Sequence, residues 1–151
     1  DSTALCTDSD FFRYASKQHL FVFKQLNLGN QGEAPIIASS WFISSEIGNP
    51  IVVLTRNLLY AYWQDYDYLL NYFTFHLFFA MACRRYENEW ESIPAFNNSS
   101  PHMLMFELKR DYSSERWEQL MKMSGIHILQ RYDDYSDLKK SNYCKILDTY
   151  L

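Results

Sequence analysis

The spacing of apolar residues changes abruptly at the dipeptide Asn49-Pro50, and this change limits the folds open to the chain. Before it, runs rich in β-branched and aromatic residues predict strands at STALCT, HLFVFKQL and PIIASSWFIS. After it, Asn49 can cap a helix, Pro50 can occupy the first turn, and apolar residues from Ile51 to Tyr62 follow the helical repeat. The pattern predicts strands first and helices after, in one α/β or α+β unit.

Three further helices are predicted downstream. The first covers YLLNYFTFHLFFAMACRRYE, and the second runs from Ser114 to Met123 and ends at Gly125. A weaker pattern predicts a third helix over DLKKSNYCKILDTYL. The intervening IPAFNNSSP is typical of a loop.

Size and charge exclude several classes of function. A chain of 151 residues can bury a substantial core, and its net charge of -4 with scattered lysines and arginines argues against a nucleic-acid partner. Three widely spaced cysteines, Cys6, Cys83 and Cys144, predict free thiols in a reducing cytoplasm. The apolar run from Tyr68 to Cys83 is shorter than the roughly 20 residues needed to span a bilayer. We therefore expect a cytoplasmic protein.

Several blocks of sequence, taken in order, resemble the C-terminal half of the capsular polysaccharide synthesis protein family. They are IIASSWFISSEIGNPIVVLTRNLLYAYW, YFTFHLFF, SSPHMLMFEL and SGIHIL, and the resemblance runs from residue 1 to about residue 130. Members are described as glycosyltransferases related to enzymes whose sugar-binding region contains a DXD motif. The resemblance implies the C-terminal part of a GT-A-like nucleotide-diphospho-sugar transferase fold. It also implies that residues 1–151 belong to a single glycosyltransferase domain truncated at its N-terminus.

The tripeptide Asp1-Ser2-Thr3 stands where the family has Asp-Ala-Thr or a similar sequence. By this resemblance, Asp1 is a catalytic residue and a metal ligand, and Thr3 binds the donor in place of a second acid. A divalent cation, Mn²⁺ or Mg²⁺, would neutralise charge on the departing nucleotide diphosphate. A neutral hydroxyl is a weaker ligand for such a cation, so the need for metal stays open. From the residues alone, the tripeptide is a turn or a helix cap.

The block ASSWFISSEIGNP matches the place where related transferases line the donor sugar pocket with a polar residue and an aromatic one. The resemblance therefore makes Ser39, Ser40 and Trp41 donor-binding residues. A hydroxyl can hydrogen-bond to a sugar, and an indole face can stack on a pyranose ring. The alternative is that Trp41 lies in the core and the serines lie on an edge strand.

Histidines supply the remaining candidates. On a helix, His76 would share a face with Tyr72 and Phe79. The family has a histidine at this point, which implies that His76 is catalytic and hydrogen-bonds to the donor phosphate or an acceptor hydroxyl. In several GT-A transferases a C-terminal histidine completes the metal site, so His102 is the first candidate ligand and His127 the second. The alternatives are a core histidine for His76 and a surface or capping histidine for His102.

Taken together, the resemblance implies transfer of a sugar from a nucleotide-sugar donor to a growing capsular or other surface polysaccharide. The acceptor would be a polysaccharide or a lipid-linked glycan, and the enzyme would work in the cytoplasm or at the inner face of the membrane. DXD relatives are usually retaining enzymes. The alternative function is a non-catalytic α/β module that binds carbohydrate or another partner.

Overall fold

A computed structural model describes residues 3–26, 36–130 and 136–150. The strands in these ranges are β1 (Ala4–Cys6), β2 (Leu20–Val22), β3 (Ile43–Ser45) and β4 (Ile126–Ile128). The α-helices are α1 (Ser9–Ala15), α2 (Pro50–Asp65), α3 (Thr74–Arg85), α4 (Glu87–Ser92), α5 (Ser99–Glu107), α6 (Ser114–Met123) and α7 (Asn142–Tyr150), and a short 3-10 helix covers Ser136–Leu138. The fold is mixed α/β, as predicted. None of the helices in the described ranges is long and apolar enough to cross a membrane.

The chain divides into two compact units. Unit 1 contains Asp1–Arg13 and Ser99–Leu151, and unit 2 contains Tyr14–Asn98. Each unit has a two-stranded antiparallel sheet and its own hydrophobic cluster. The units are therefore described one at a time.

The predicted order, with all strands before the helices, is wrong at two places. Helix α1 follows β1 directly, because the Asp8 carboxylate accepts a hydrogen bond of 2.8 Å from the Asp10 amide and so caps a helix where the sequence predicted a turn. Strand β4 follows α6. Its two isoleucines are β-branched, which favours a strand, and all three of its residues are buried within unit 1.

Unit 1 is built on the pairing of β1 with β4. The paired residues are Ala4 with Ile128, Leu5 with His127, and Cys6 with Ile126. The core beside this sheet contains Leu5, Leu104, Leu108, Leu120 and Ile146. Gly125 precedes β4, and a Cβ at this position would lie 2.6 Å from the Phe11 Cβ, so only glycine fits the turn.

An ion pair between a buried carboxylate and a partly exposed arginine joins the helices of unit 1. The Glu107 carboxylate, at the end of α5, receives hydrogen bonds from Arg116 Nη2 at 2.5 Å and Nε at 3.1 Å. Its backbone carbonyl accepts a bond of 2.9 Å from the side-chain amide of Asn142. The hydrogen bonds from Arg116 lower the pKa of Glu107, so the carboxylate stays ionised. One residue thus connects α5 with α6 and α7.

His127 occupies an unusual place in unit 1. Its ring is fully buried in β4, and neither ring nitrogen has a hydrogen-bond partner among the described residues. Burial lowers the pKa of His127 to about 4, although the nearby backbone of Ser124 favours the protonated form. The ring is therefore neutral at pH 7.

Unit 2 combines the β2–β3 sheet with the α2–α3 pair. Leu20 pairs with Ser45, Phe21 with Ser44, and Val22 with Ile43. Strand β3 is shorter than the predicted PIIASSWFIS strand: residues 36–42 are irregular. The Ser39 amide donates to the Phe23 carbonyl at 3.0 Å, which bends this segment across the end of β2.

Asn49 caps α2 as the sequence predicted, and Pro50 occupies the first turn. The Asn49 Oδ1 accepts hydrogen bonds from the backbone of Ile51 at 3.1 Å and Val52 at 3.3 Å. Its side-chain Nδ2 donates to the His19 carbonyl at 3.2 Å and to Glu89 Oε1 at 3.3 Å. Asn49 is buried, so a single amide ties the start of α2 to the chain before β2 and to α4.

Helix α3 begins at Thr74, six residues later than the predicted start at Tyr68. Asn71 explains the difference, because its side chain accepts a 2.8 Å bond from the Phe73 amide and its carbonyl accepts a 2.6 Å bond from the Thr74 hydroxyl. These bonds form a turn that competes with a helix. Tyr72 therefore lies in the turn and not on α3.

Replacing His127 should change how stability depends on pH. Unfolded chains bind a proton near pH 6.5, whereas the folded ring binds one only near pH 4, so the free energy of unfolding falls as pH drops between these values, by about 3 kcal/mol in total. His127→Leu should remove this loss. Urea unfolding of both proteins at pH 7 and pH 4.5 measures this change in the free energy of unfolding.

The control for that experiment is His19→Leu. The hydrogen bond to Glu46 raises the pKa of the exposed His19, so its removal should leave the acid-induced loss in place. Equal pH dependence in wild type and His127→Leu would contradict a buried neutral ring.

Replacing Asn49 should weaken unit 2. Asn49→Ala removes a helix cap and two further hydrogen bonds in a buried position, and we expect a loss of about 1–3 kcal/mol. Asn49→Ser, which keeps a capping oxygen without adding a charge beside Glu89, should lose less than the alanine variant. The matched control is Asn57→Ala on the exposed side of the same helix, where we expect a change within about 0.5 kcal/mol. Equal losses at both asparagines, measured by chemical unfolding, would contradict the assigned role.

Candidate functional site

His76 lies in the first turn of α3 and is half-buried. Its ring contacts the rings of Phe73 and Phe75, with centroid distances of 5.8 and 5.7 Å. Burial lowers the pKa of His76, while the nearby backbone of Ala38 acts in the opposite direction. The ring is therefore neutral at pH 7.

The neutral ring of His76 can serve as a base. In a neutral imidazole one nitrogen carries the proton and the other is an acceptor. His76 can thus take a proton from a hydroxyl group, or hold one for a phosphate oxygen after protonation.

His76 also lies near the segment predicted to bind the donor, because the backbone of Ala38 is close enough to raise its pKa. Ala38 is buried in the unit 2 core, and Ser39 and Ser40 follow it directly. Ser39 is half-buried and Ser40 is exposed. The structure thus brings His76 to the residue next to Ser39, although 37 positions separate the two in the sequence.

Trp41 takes part in packing as well. Its ring stacks on Phe23, with centroids 5.0 Å apart and planes 14° apart, and it also contacts Phe42. The residue is half-buried, so part of the ring reaches solvent. Any sugar at this place would meet only the part of the indole that Phe23 does not cover.

The candidates for metal binding belong to unit 1. Asp1 lies outside the described residues, and the Thr3 carbonyl accepts a 3.0 Å bond from the Leu129 amide, which extends the β1–β4 pairing. His102 lies in the first turn of α5, half-buried, with its ring 6.5 Å from that of Phe106. Within the described ranges, no group of three His, Cys, Asp or Glu residues could hold a metal ion. The described residues alone therefore do not supply a metal site.

The surroundings of His127 and of the three cysteines limit the chemistry that these side chains can perform. His127, the second candidate ligand, is enclosed in the core of unit 1, where a bound metal would have no access to solvent. Cys6, Cys83 and Cys144 are free thiols, as predicted. Burial raises the pKa of Cys83 to about 12, which makes it a poor nucleophile.

Sequence reasoning missed an apolar cavity in unit 2. The cavity lies between α2, α3 and Ile43 of β3, and Arg56 is among its lining residues. The only trace of this cavity in the sequence is the helical spacing of Val52, Arg56 and Leu59 on α2. That spacing predicts a face of the helix, but it cannot reveal a gap in the packing against α3.

Comparison with known proteins supports the resemblance seen in the sequence. The family model described as "Capsular polysaccharide synthesis protein" matches residues 1–147. No curated protein and no solved structure matches the chain. The family match spans both compact units and nearly the whole sequence. The chain therefore belongs to the capsular polysaccharide synthesis protein family, and its role lies in capsular polysaccharide synthesis.

Proposed function

We propose that the protein is a glycosyltransferase that moves a sugar from a nucleotide-sugar donor to a growing capsular or other surface polysaccharide. The observation that supports this most directly is that the half-buried ring of His76 lies near the backbone of Ala38, the residue directly before Ser39, Ser40 and Trp41. The proposal also rests on the match to a capsule-synthesis family. The imidazole, the two serines and the indole combine a proton acceptor with hydroxyl and aromatic contacts for a sugar.

In the proposed reaction, a hydroxyl oxygen of the acceptor sugar ends up bonded to the anomeric carbon of the donor. The bond from that carbon to the phosphate oxygen breaks, and its electron pair leaves with the nucleotide diphosphate. The free nitrogen of His76 takes the hydroxyl proton and returns it to solvent or to the leaving phosphate. Ser39 and Ser40 would hydrogen-bond to the donor sugar, and Trp41 would contact its ring with the uncovered part of the indole.

The family resemblance also assigns roles to Asp1, Thr3 and His102, which belong to unit 1. Asp1 and His102 would hold a divalent cation, Mn²⁺ or Mg²⁺, and Thr3 would contact the donor. When bound, such a cation neutralises charge on the diphosphate. We propose that the chain is the C-terminal part of one GT-A-like domain. We place the reaction in the cytoplasm or at the inner face of the membrane, with a polysaccharide or lipid-linked glycan as acceptor.

A non-catalytic carbohydrate-binding module is the second candidate. It is favoured by the exposed aromatic residues near the end of α2 and the following turn, which are Tyr60, Trp63, Tyr66, Tyr68 and Tyr72. Exposed aromatic rings can bind a glycan without any chemistry. Turnover of a nucleotide sugar separates the two candidates.

The full protein, incubated with a panel of radiolabelled nucleotide sugars and capsular oligosaccharide, should release nucleotide diphosphate and label the oligosaccharide. Both products are measured, since hydrolysis of the donor alone shows donor activation without transfer. Binding of the oligosaccharide with no turnover of any donor would contradict the transferase and favour the binding module.

His76→Ala should lower kcat by about 10²–10⁴-fold if the ring accepts a proton, with donor affinity much less affected. His76→Gln keeps a hydrogen-bond donor but cannot act as a base at neutral pH. It should therefore fold like wild type and stay inactive if proton transfer is the role, or recover part of the activity if hydrogen bonding is the role. Because the pKa of His76 is lowered in the protein without ligand, wild-type kcat/KM should fall only below pH 6.5.

The matched control is His19→Ala, an exposed histidine of the same unit that pairs with Glu46. We expect near-normal kcat for this variant. Normal turnover by both His76 variants would show that the ring is structural.

A further inference from the structure

The apolar cavity of unit 2 is closed on three sides by packed elements. Val52 and Leu59 on α2, Phe75 and Phe79 on α3, and Ile43 on β3 contribute its walls. Phe75 and Phe79 stack on each other, with centroids 5.9 Å apart, and form a flat wall. Almost all of the lining surface is carbon, so water inside would lack hydrogen-bond partners.

The size of the cavity suits part of an aliphatic chain. Its volume is about 170 Å³. An apolar cavity of about 150 Å³ in another protein stays dry and binds benzene, a molecule of six carbons. The present cavity therefore has room for a short chain segment, but not for a sugar with its hydroxyl groups.

Among the residues that the structure describes, Arg56 is the one cation that lines this apolar cavity. Arg56 is exposed, and its Nε and Nη2 donate to the side chain of Asn57 at 3.4 and 3.2 Å. These bonds hold the guanidinium on the surface of α2. No carboxylate in the described ranges forms an ion pair with Arg56, so its charge is available to an anion.

An exposed apolar turn lies at the end of the same helix. The Tyr62 hydroxyl donates to the Tyr68 carbonyl at 2.5 Å and accepts from the Leu70 amide at 3.1 Å. These bonds hold Leu69 and Leu70 in positions where they are 60% and 68% exposed. Exposed leucines beside tyrosines and a tryptophan are typical of surfaces that contact lipid.

We propose that the cavity binds the end of one aliphatic chain of an amphiphile whose anionic head pairs with Arg56. The chain fills the space between Leu59 and the Phe75–Phe79 wall, and a phosphate or carboxylate accepts hydrogen bonds from the guanidinium. The amphiphile comes either from a bilayer or from a dispersed pool. This site does not depend on the proposed sugar transfer, since it uses none of the residues assigned to that reaction.

Calorimetric titration of the full protein with decyl phosphate, below its micelle concentration, tests the proposal. Decanol supplies the chain alone, and inorganic phosphate supplies the head alone. We expect decyl phosphate to bind about tenfold or more tightly than decanol, as for one charge-assisted contact, and inorganic phosphate not to bind. Equal affinity for decyl phosphate and decanol would overturn the assignment of the head to Arg56.

Two variants with matched controls separate the chain from the head. Arg56→Gln should remove the preference for decyl phosphate over decanol, whereas Arg84→Gln, at another exposed arginine of unit 2, should keep it. Leu59→Phe should fill the cavity and abolish binding of both probes, whereas Leu70→Phe on the exposed turn should not. Melting curves identify any variant that fails to fold. Unchanged binding by a folded Leu59→Phe would overturn the proposal even if Arg56→Gln were unstable.

Vesicles identify the source of the amphiphile. Cosedimentation with phosphatidylcholine vesicles containing phosphatidic acid, lost in Leu59→Phe, would support a bilayer lipid. Binding of decyl phosphate without cosedimentation would support a dispersed amphiphile. The protein could instead form a dimer to which decyl phosphate does not bind and which decyl phosphate does not dissociate. That result would overturn the proposal and assign the cavity to a second copy of the chain. All of these assays omit sugar nucleotides, so their outcome is separate from that of the transferase assay.

Discussion

The buried amide of Asn49 is the interaction on which the arrangement of unit 2 depends. Its oxygen fixes the first turn of α2, and its nitrogen bonds the His19 carbonyl before β2 and the Glu89 carboxylate of α4. The start of α2 is therefore tied to the sheet at one side and to α4 at the other. Helix α2 then packs along α3, and α3 brings His76 against Ala38. The candidate site is thus a consequence of how one helix begins.

Local chemistry made some elements predictable from the sequence. Asn49 and Pro50 are a cap and a first-turn residue whose preferences act within a few residues, and α2 begins where they indicate. The helix predicted from Ser114 to Met123 is present with the same bounds. Other local signals competed with each other. Asn71 forms a turn inside an apolar run, so the predicted start of α3 is wrong. Asp8 caps a helix in a segment that also fits a turn, so the predicted turn is wrong.

Features that depend on distant contacts could not be predicted in this way. Strand β4 is only three residues long, and its pairing with β1 joins segments more than 100 positions apart. The burial of His127 follows from that pairing. The ion pair of Glu107 with Arg116 depends on how α5 packs against α6, and no local pattern signals it. The cavity beside Arg56 is likewise a gap between helices, which depends on side-chain fit.

Of the candidate site, the resemblance supplied His76 and the Ser39–Trp41 segment, and the structure supplies the contact between His76 and Ala38. The alternative, a core histidine, fits the contacts of the ring with Phe73 and Phe75. The half-buried position of the ring fits the catalytic interpretation. Trp41 fits both the core and the donor-binding interpretation in part. Phe23 covers one face of its ring, and the residue is half-buried.

The most direct test of this account is the titration of His76 by NMR in the full protein, with and without a nucleotide diphosphate. The signal is assigned by its loss in His76→Gln. Without ligand, we predict a pKa below 6.5, because burial disfavours the charged ring. With ligand, we predict a clear rise, because a diphosphate in the site would favour the imidazolium. A pKa that saturating nucleotide diphosphate leaves unchanged would contradict a donor site at His76.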